Sequence, residues 1–242
     1  MNCPKCGAEQ PDGTEICARC GIVFRKYYKY HPKEGEKPRV RLQLASEETG
    51  FKALILPKEV PGDAWTFWLR AGLLLVLFFW GWKLILTPMT SGTIWNSLLH
   101  GANLAFHEFG HILFRPFGHF LMSLGGTLGQ LLMPLICLWV FLFQTRDPFA
   151  GAVALWWFGE NFLDIAPYMN DARAGVLPLT GGRFGRTSPY GVHDWEYLFT
   201  ETGLLRWDHQ IAQFTHMLGA SLMVLAIAWG AVLLYRQYQQ LQ

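Results

Sequence analysis

Charge is what this chain has least of. Asp, Glu, Lys and Arg together make up 16% of its 242 residues, against about a quarter in soluble domains. With hydrophobic residues at 51%, including 11 Trp and 18 Phe, that shortage argues against an ordinary water-soluble domain and for a chain that lies largely in lipid. The net charge of +2 decides nothing, because the charges are unevenly spread. Cysteine is almost missing after residue 20: Cys137 stands alone in an apolar run and reads as a small packing residue. The N-terminus lacks the apolar stretch that a secretory signal needs. No glycine-rich phosphate loop and no serine or cysteine nucleophile arrangement is apparent, so nothing points to nucleotide chemistry or to acyl-enzyme hydrolysis.

The other four of the five cysteines are crowded into the first 20 residues as two Cys-x-x-Cys pairs, Cys3/Cys6 and Cys17/Cys20. Each pair can offer two thiolates to one tetrahedral ion, and Gly7 and Gly21 follow the pairs where a knuckle turn needs backbone freedom. A segment this short has almost no core, so a structural Zn2+ would supply its folding free energy. Residues 1–24 therefore read as a zinc ribbon, with a protein partner for it left open. Thiolates that stay reduced place this end in the cytosol.

Residues 25–62 read as a basic cytosolic linker, carrying Arg25, Lys26, Lys29, Lys33, Lys37, Arg39, Arg41, Lys52 and Lys58. Juxtamembrane charge explains it, and nucleic acid is not the expected partner. Residues 63–242 form the membrane part, an all-α polytopic domain with about five transmembrane helices at 65–86, 94–114, 120–143, 149–169 and 211–235. A hydrophilic loop, 170–210, precedes the last. With the N-terminus inside, Arg115, Arg173, Arg183, Arg186 and Arg206 also fall inside, and only Arg146 and Arg236 fall outside.

Within the second apolar run stands "NLAFHEFGHILF", Asn103 to Phe114. His107-Glu108-x-x-His111 puts two imidazoles one helical turn apart on one face, about 6 Å along the axis, where they can bind one zinc ion. Glu108 would then accept a proton from a zinc-activated water and return it to the leaving group. A carboxylate in such a run needs a partner or a function.

On these residues the chain resembles the site-2 proteases, intramembrane zinc metalloproteases whose third ligand is an Asp after an Asn-x-x-Pro-x-x-Pro-x-Asp-Gly motif in a later span. The resemblance covers about residues 94–171. Asn161 and Pro167 sit six apart, as in that motif, and Asp171 follows four beyond the proline. Asp164 occupies the motif's first proline position, the final aspartate falls two residues late, and no Asp-Gly follows. The resemblance implies Asp171 as third ligand, with Asp164 as the alternative; His193, in the loop near the expected cytosolic mouth of the site, is a further candidate or a surface histidine. It implies an intramembrane endopeptidase acting on a peptide bond in or near a membrane segment. The competing expectation is a non-proteolytic membrane metal protein, a sensor or an assembly scaffold.

Further polar residues share this setting. His100 and Asn103 precede His107 by seven and four residues, on its face of the helix, and could orient a ligand from behind. Gln130 could hold a substrate backbone or crosslink helices, and Asn161 belongs to the motif. Gly125, Gly126 and Gly129 read as close helix packing. Asp194 reads as the cap of a short amphipathic helix that ends at Gly203. Both the N-terminus and the metal site are expected on the cytosolic side.

Overall fold

The computed structural model describes residues 1–31 and 50–242, so the middle of the basic linker, residues 32–49, lies outside the described residues. The chain divides into two units, Met1–Thr49 and Gly50–Gln242. All regular elements among the described residues are helices: α1 Phe24–Tyr30, α2 Phe51–Ile55, α3 Ala64–Leu86, α4 Leu98–Phe114, α5 His119–Trp139, α6 Pro148–Asn170, α7 Asp194–Glu201 and α8 Asp208–Gln240.

In the first unit each Cys-x-x-Cys pair closes a knuckle. The Gly7 N–H donates to the Cys3 carbonyl and the Gly21 N–H to the Cys17 carbonyl, both at 2.9 Å, with the two glycines at φ 71° and 69°. The knuckles face each other, with Cys3–Cys20 and Cys6–Cys17 sulfurs 3.6 and 3.7 Å apart. Four sulfurs at about 2.3 Å from one ion would be separated by about 3.8 Å, so this donor set fits a tetrahedral metal. Among the described residues of this unit, Phe24, Ile22 and Tyr28 pack on the cysteines.

In the second unit three helices are long and apolar enough to cross a membrane: Ala64–Leu86, the run His119–Gln144 that contains α5, and Leu205–Gln240 that contains α8. Their outer faces stay apolar and uncovered, as Trp68, Phe79 and Trp82 on α3 and Phe214, Val224 and Leu225 on α8 show, which is the surface lipid requires. The other 23-residue helix, α6, is buried instead. Leu163 and Ala166 are 0% exposed, as are Glu160 and Asn161. Small residues let α8 lie against it: a Cβ on Gly219 would come within 2.5 Å of the Gly159 carbonyl oxygen. The Asp63 and Asp147 carboxylates cap α3 and α6.

The helix directions differ from the expected alternation. Gly62 packs on Gln237, Gly230 on Leu74, Gly81 on Met223, and His216 Nε2 meets the Ile85 carbonyl at 3.1 Å. So α3 runs antiparallel to α8, and therefore parallel to α6. The Asp63 end of α3 lies with the α5–α6 turn: Arg70 reaches Asp147 at 3.2 Å, Gln237 at 3.1 Å and the Pro61 carbonyl at 2.9 Å. The C-terminal end of α6 and the start of α8 lie at the opposite end.

The expected second span, α4, does not run alongside its neighbours. Its His100 and Asn103 meet Asp164 and Glu160 of α6, with Phe106 near Trp157, while Gly110 and Phe114 pack on Gly125 of α5. That order is antiparallel to both α5 and α6, which are antiparallel to each other. Only a helix lying across the pair satisfies both. Gly110, Gly125 and Gly129 make the crossing close enough that a Cβ on any of them would collide with the facing helix.

Candidate metal centre

The crossing helix α4 sets His107 and His111 side by side, with ring centroids 4.8 Å apart. Their tautomers follow from groups whose roles are fixed. His111 Nδ1 lies 2.8 Å from the Met122 carbonyl oxygen. A carbonyl only accepts, so Nδ1 carries the proton and Nε2 presents a lone pair. For His107 the same result travels through two amides. The Trp157 carbonyl accepts from Asn161 Nδ2 at 3.0 Å, which turns Asn161 Oδ1 towards Gln130 Nε2 at 3.1 Å. Gln130 Oε1 is thereby left facing His107 Nδ1 at 2.8 Å, and that nitrogen must donate. Gly126 leaves the room, since a Cβ there would collide with the His107 ring.

Both Nε2 atoms point at one oxygen. Asp194 Oδ2 lies 3.4 Å from each. Burial would raise the Asp194 carboxyl; protons on the two Nε2 atoms, when the imidazoles carry them, hold it well below the usual carboxylate range, and a divalent ion would take the place of those protons. Two lone pairs and a carboxylate thus converge, with all donor atoms within 4.8 Å of one another. Ligands at about 2.0–2.1 Å around a tetrahedral ion would be separated by about 3.4 Å. The donor set fits a divalent metal with three protein ligands.

Two residues bring Asp194 here. His193, not Asp194, caps α7, its Nδ1 accepting from the Glu196 N–H at 3.2 Å. Asp194 is then the first residue on the buried side of α7, ahead of Trp195, Leu198 and Phe199. Tyr168 on α6 pins it, its hydroxyl donating to Asp194 Oδ2 and accepting from the Asp194 N–H, both at 3.1 Å. Glu108 lies beside the triad, accepting from Thr180 Oγ1 at 2.7 Å. A cavity of about 280 Å3 joins these groups, lined by Glu108, both histidines and Asp194 and floored by Ser123 and Thr127 of α5.

The third-ligand candidates named from the sequence are all placed elsewhere. Asp171 ends α6 and turns its carboxylate onto the N–H groups of Val176 and Leu177, at 3.0 and 2.9 Å, with His193 Nε2 at 3.5 Å. His193 is consumed by that contact and by its cap. Asp164 lies on the Nδ1 side of His107, behind Gln130, and accepts from His100 Nδ1 at 2.7 Å and from Asn103 and Gln130 at 3.3 Å. Arg173 pairs with Asp208 at 2.7 Å and leaves Asp171 alone.

The remaining residues do converge. Asn103, its Oδ1 fixed by Trp157 Nε1 at 2.9 Å, donates to Glu160 Oε2 at 2.9 Å, and the other oxygen of Glu160 has no hydrogen-bond partner. His100, Asn103, Gln130 and Asn161 thus form one network behind His107. Asp194, Tyr168 and Glu160 were missed. The signal for Asp194 was an acid at the head of an apolar helix stripe, which points a carboxylate inward.

In the N-terminal cluster the crowding of sulfurs shows in the thiols themselves. Burial would raise Cys3, but the Cys6 and Lys5 N–H groups and the neighbouring thiols lower it, while the Ile22 N–H would lower Cys20 and burial with the other sulfurs pushes it up, so the cluster takes on negative charge one thiol at a time. A divalent ion bound among four thiolates would remove their mutual repulsion.

No family model matches this chain, and no curated protein or solved structure matches it.

Proposed function

We propose that this is a polytopic membrane zinc metalloprotease, similar in its site to the site-2 proteases, that hydrolyses a peptide bond in or near a membrane segment. The observation that carries the reading is the convergence of two imidazole lone pairs and one carboxylate next to Glu108, in a cavity. Three protein ligands leave a tetrahedral ion one position for water, which supports a hydrolase over the closed site of a scaffold or sensor. Asp194 takes the ligand role expected of Asp171.

A bound Zn2+ would supply Lewis acidity and an activated water. The chain's own groups do the rest. His107 and His111 present Nε2, each with its proton parked on Nδ1 by an acceptor. Glu108 is the general base and returns the proton to the leaving amine. Tyr168 holds Asp194 in place. The apolar walls of α3 and α8 meet the lipid bilayer, and the four cysteines form a zinc ribbon with a structural Zn2+.

In this reading α3, α5, α6 and α8 cross the membrane and α4 lies across them within it. Reduced thiolates and the basic residues 25–62 favour the cytosol for the Asp63 end of α3. The cavity then opens towards the other side, in place of the shared cytosolic side expected from charge alone.

The test is metal counting combined with activity on the full chain in detergent or nanodiscs. Two zinc ions per chain are expected, falling to one in His107→Ala and in Asp194→Ala. Glu108→Gln should keep both ions and lose hydrolysis of membrane-segment peptides. Full activity in Glu108→Gln, or two ions in Asp194→Ala, would overturn the reading.

A further inference from the structure

Most hydroxyls in and at the ends of the described helices have a partner in their own helix, and Thr66 of α3 bonds the Asp63 cap at 2.7 Å. Thr87, Thr145, Thr200, Thr202, Thr215 and Ser221 each donate to the carbonyl four residues back, at 2.6–3.1 Å. That bond is available to any Ser or Thr inside a helix. Ser123 and Thr127 on α5 do not make it. Their hydroxyls are 1% and 5% exposed by residue and have no hydrogen-bond partner. A buried, unpaired hydroxyl costs about 1–3 kcal/mol, so two in adjacent turns call for a ligand.

Their position names one. Both line the metal cavity, on either side of Gly126, where the His107 ring touches α5, and next to Met122, whose carbonyl holds His111. Four residues along a helix advance about 6 Å. Along an extended peptide, backbone groups on one side recur every two residues, about 6.6–6.8 Å. A pair of hydroxyls one turn apart therefore matches two same-side backbone groups of an extended peptide, and a hydroxyl can pair with either an N–H or a C=O.

Resting on the metalloprotease reading, we propose that Ser123 and Thr127 are a substrate subsite that grips the backbone of an unwound, extended peptide beside the metal. The subsite reads backbone and not side chains, so it accepts many sequences but only in strand-like form. A segment entering from a transmembrane helix must first unwind, and these two hydroxyls replace hydrogen bonds that unwinding gives up in lipid.

The experiment uses the zinc-loaded full chain and two hydroxamates, which anchor on zinc. Acetohydroxamate has no peptide arm; N-acetyl-dileucine hydroxamate has one. Acetohydroxamate should bind wild type, Ser123→Ala and Thr127→Val equally. The peptide hydroxamate should bind wild type best and lose about tenfold in each variant, about 1.4 kcal/mol. N-methylating its backbone amides should cost wild type a similar factor and the variants little, which separates the subsite from a folding defect. Equal affinity of the peptide hydroxamate for all three proteins would overturn the subsite alone. Failure of acetohydroxamate to bind wild type would overturn the open metal site, and the subsite with it.

Discussion

Gln130 is the point at which the candidate metal centre is most exposed to a single change. Its side chain joins three partners, accepting from His107 and donating to Asn161 and Asp164. Gln130→Leu keeps most of the volume and removes all three bonds. Interhelical hydrogen bonds within membranes contribute about 0.6 kcal/mol each, so stability should fall by about 2 kcal/mol, which a folded variant can bear. The larger effect is on the ligand. His107 Nδ1 loses the acceptor that holds its proton, and the ring is free to present the wrong nitrogen. Loss of a partner behind a metal-bound histidine typically costs 10–100-fold in metal affinity, about 1.4–2.8 kcal/mol. Chelator competition on the full chain should show two classes of zinc, with only the one that His107→Ala abolishes weakened in Gln130→Leu. Wild-type affinity for that zinc in a folded Gln130→Leu protein would refute the tautomer argument.

Three further outcomes are expected. Gly110→Ala puts a methyl into the Gly125 carbonyl and should destabilise by about 1–3 kcal/mol as α4 and α5 are forced apart, read as a lower Tm in detergent. Asp171 would be raised by its burial, but His193 and the Leu177 and Val176 N–H groups hold it below its usual value. Its stabilisation is therefore full above an unfolded pKa of about 3.9 and lost as pH falls through the lower folded value; Asp171→Asn should flatten that acid limb of a denaturation-versus-pH curve. A fluorescent protein fused after Gln242 should fold and fluoresce in the cytosol, since the C-terminal end of α8 lies with the Asp63 end of α3; an exported, enzymatically active phosphatase fusion there would reverse the assignment.

Much of this architecture was legible in composition. The apolar runs predicted at 65–86, 120–143, 149–169 and 211–235 coincide with α3, with α5 and its extension to Gln144, and with α6 and α8. Run length and hydropathy are local properties, and local properties survive in sequence. The directions of α5, α6 and α8 relative to α3 were not legible, because alternation was counted through α4, and the glycines that let α4 cross α5 have the same signature as those of a parallel-packed span. In the candidate site, the spacing of His107 and His111 predicts two imidazoles on one face of a helix, and the structure has them side by side. A third donor is expected near a familiar motif, at Asp171, whereas the carboxylate beside the two imidazoles is that of Asp194, at the head of α7 twenty-odd residues further on. Its placement depends on a competition that spacing does not show: His193 takes the cap, and the neighbouring acid is left to turn inward.

The amides behind His107 have one more consequence. An amide group donates or accepts, but it does not pass a proton through itself as a water or a carboxylic acid can. With the Trp157 carbonyl and the Trp157 indole fixing Asn161 and Asn103, the path from the Glu160 and Asp164 carboxylates to His107 is connected in hydrogen bonds and closed to protons. The Nδ1 side of His107 is thereby sealed against proton exchange through the amides. Protons of the proposed hydrolysis would travel instead through the cavity that Glu108, Thr180, His100 and Asp164 line together, the same space that its substrate would enter.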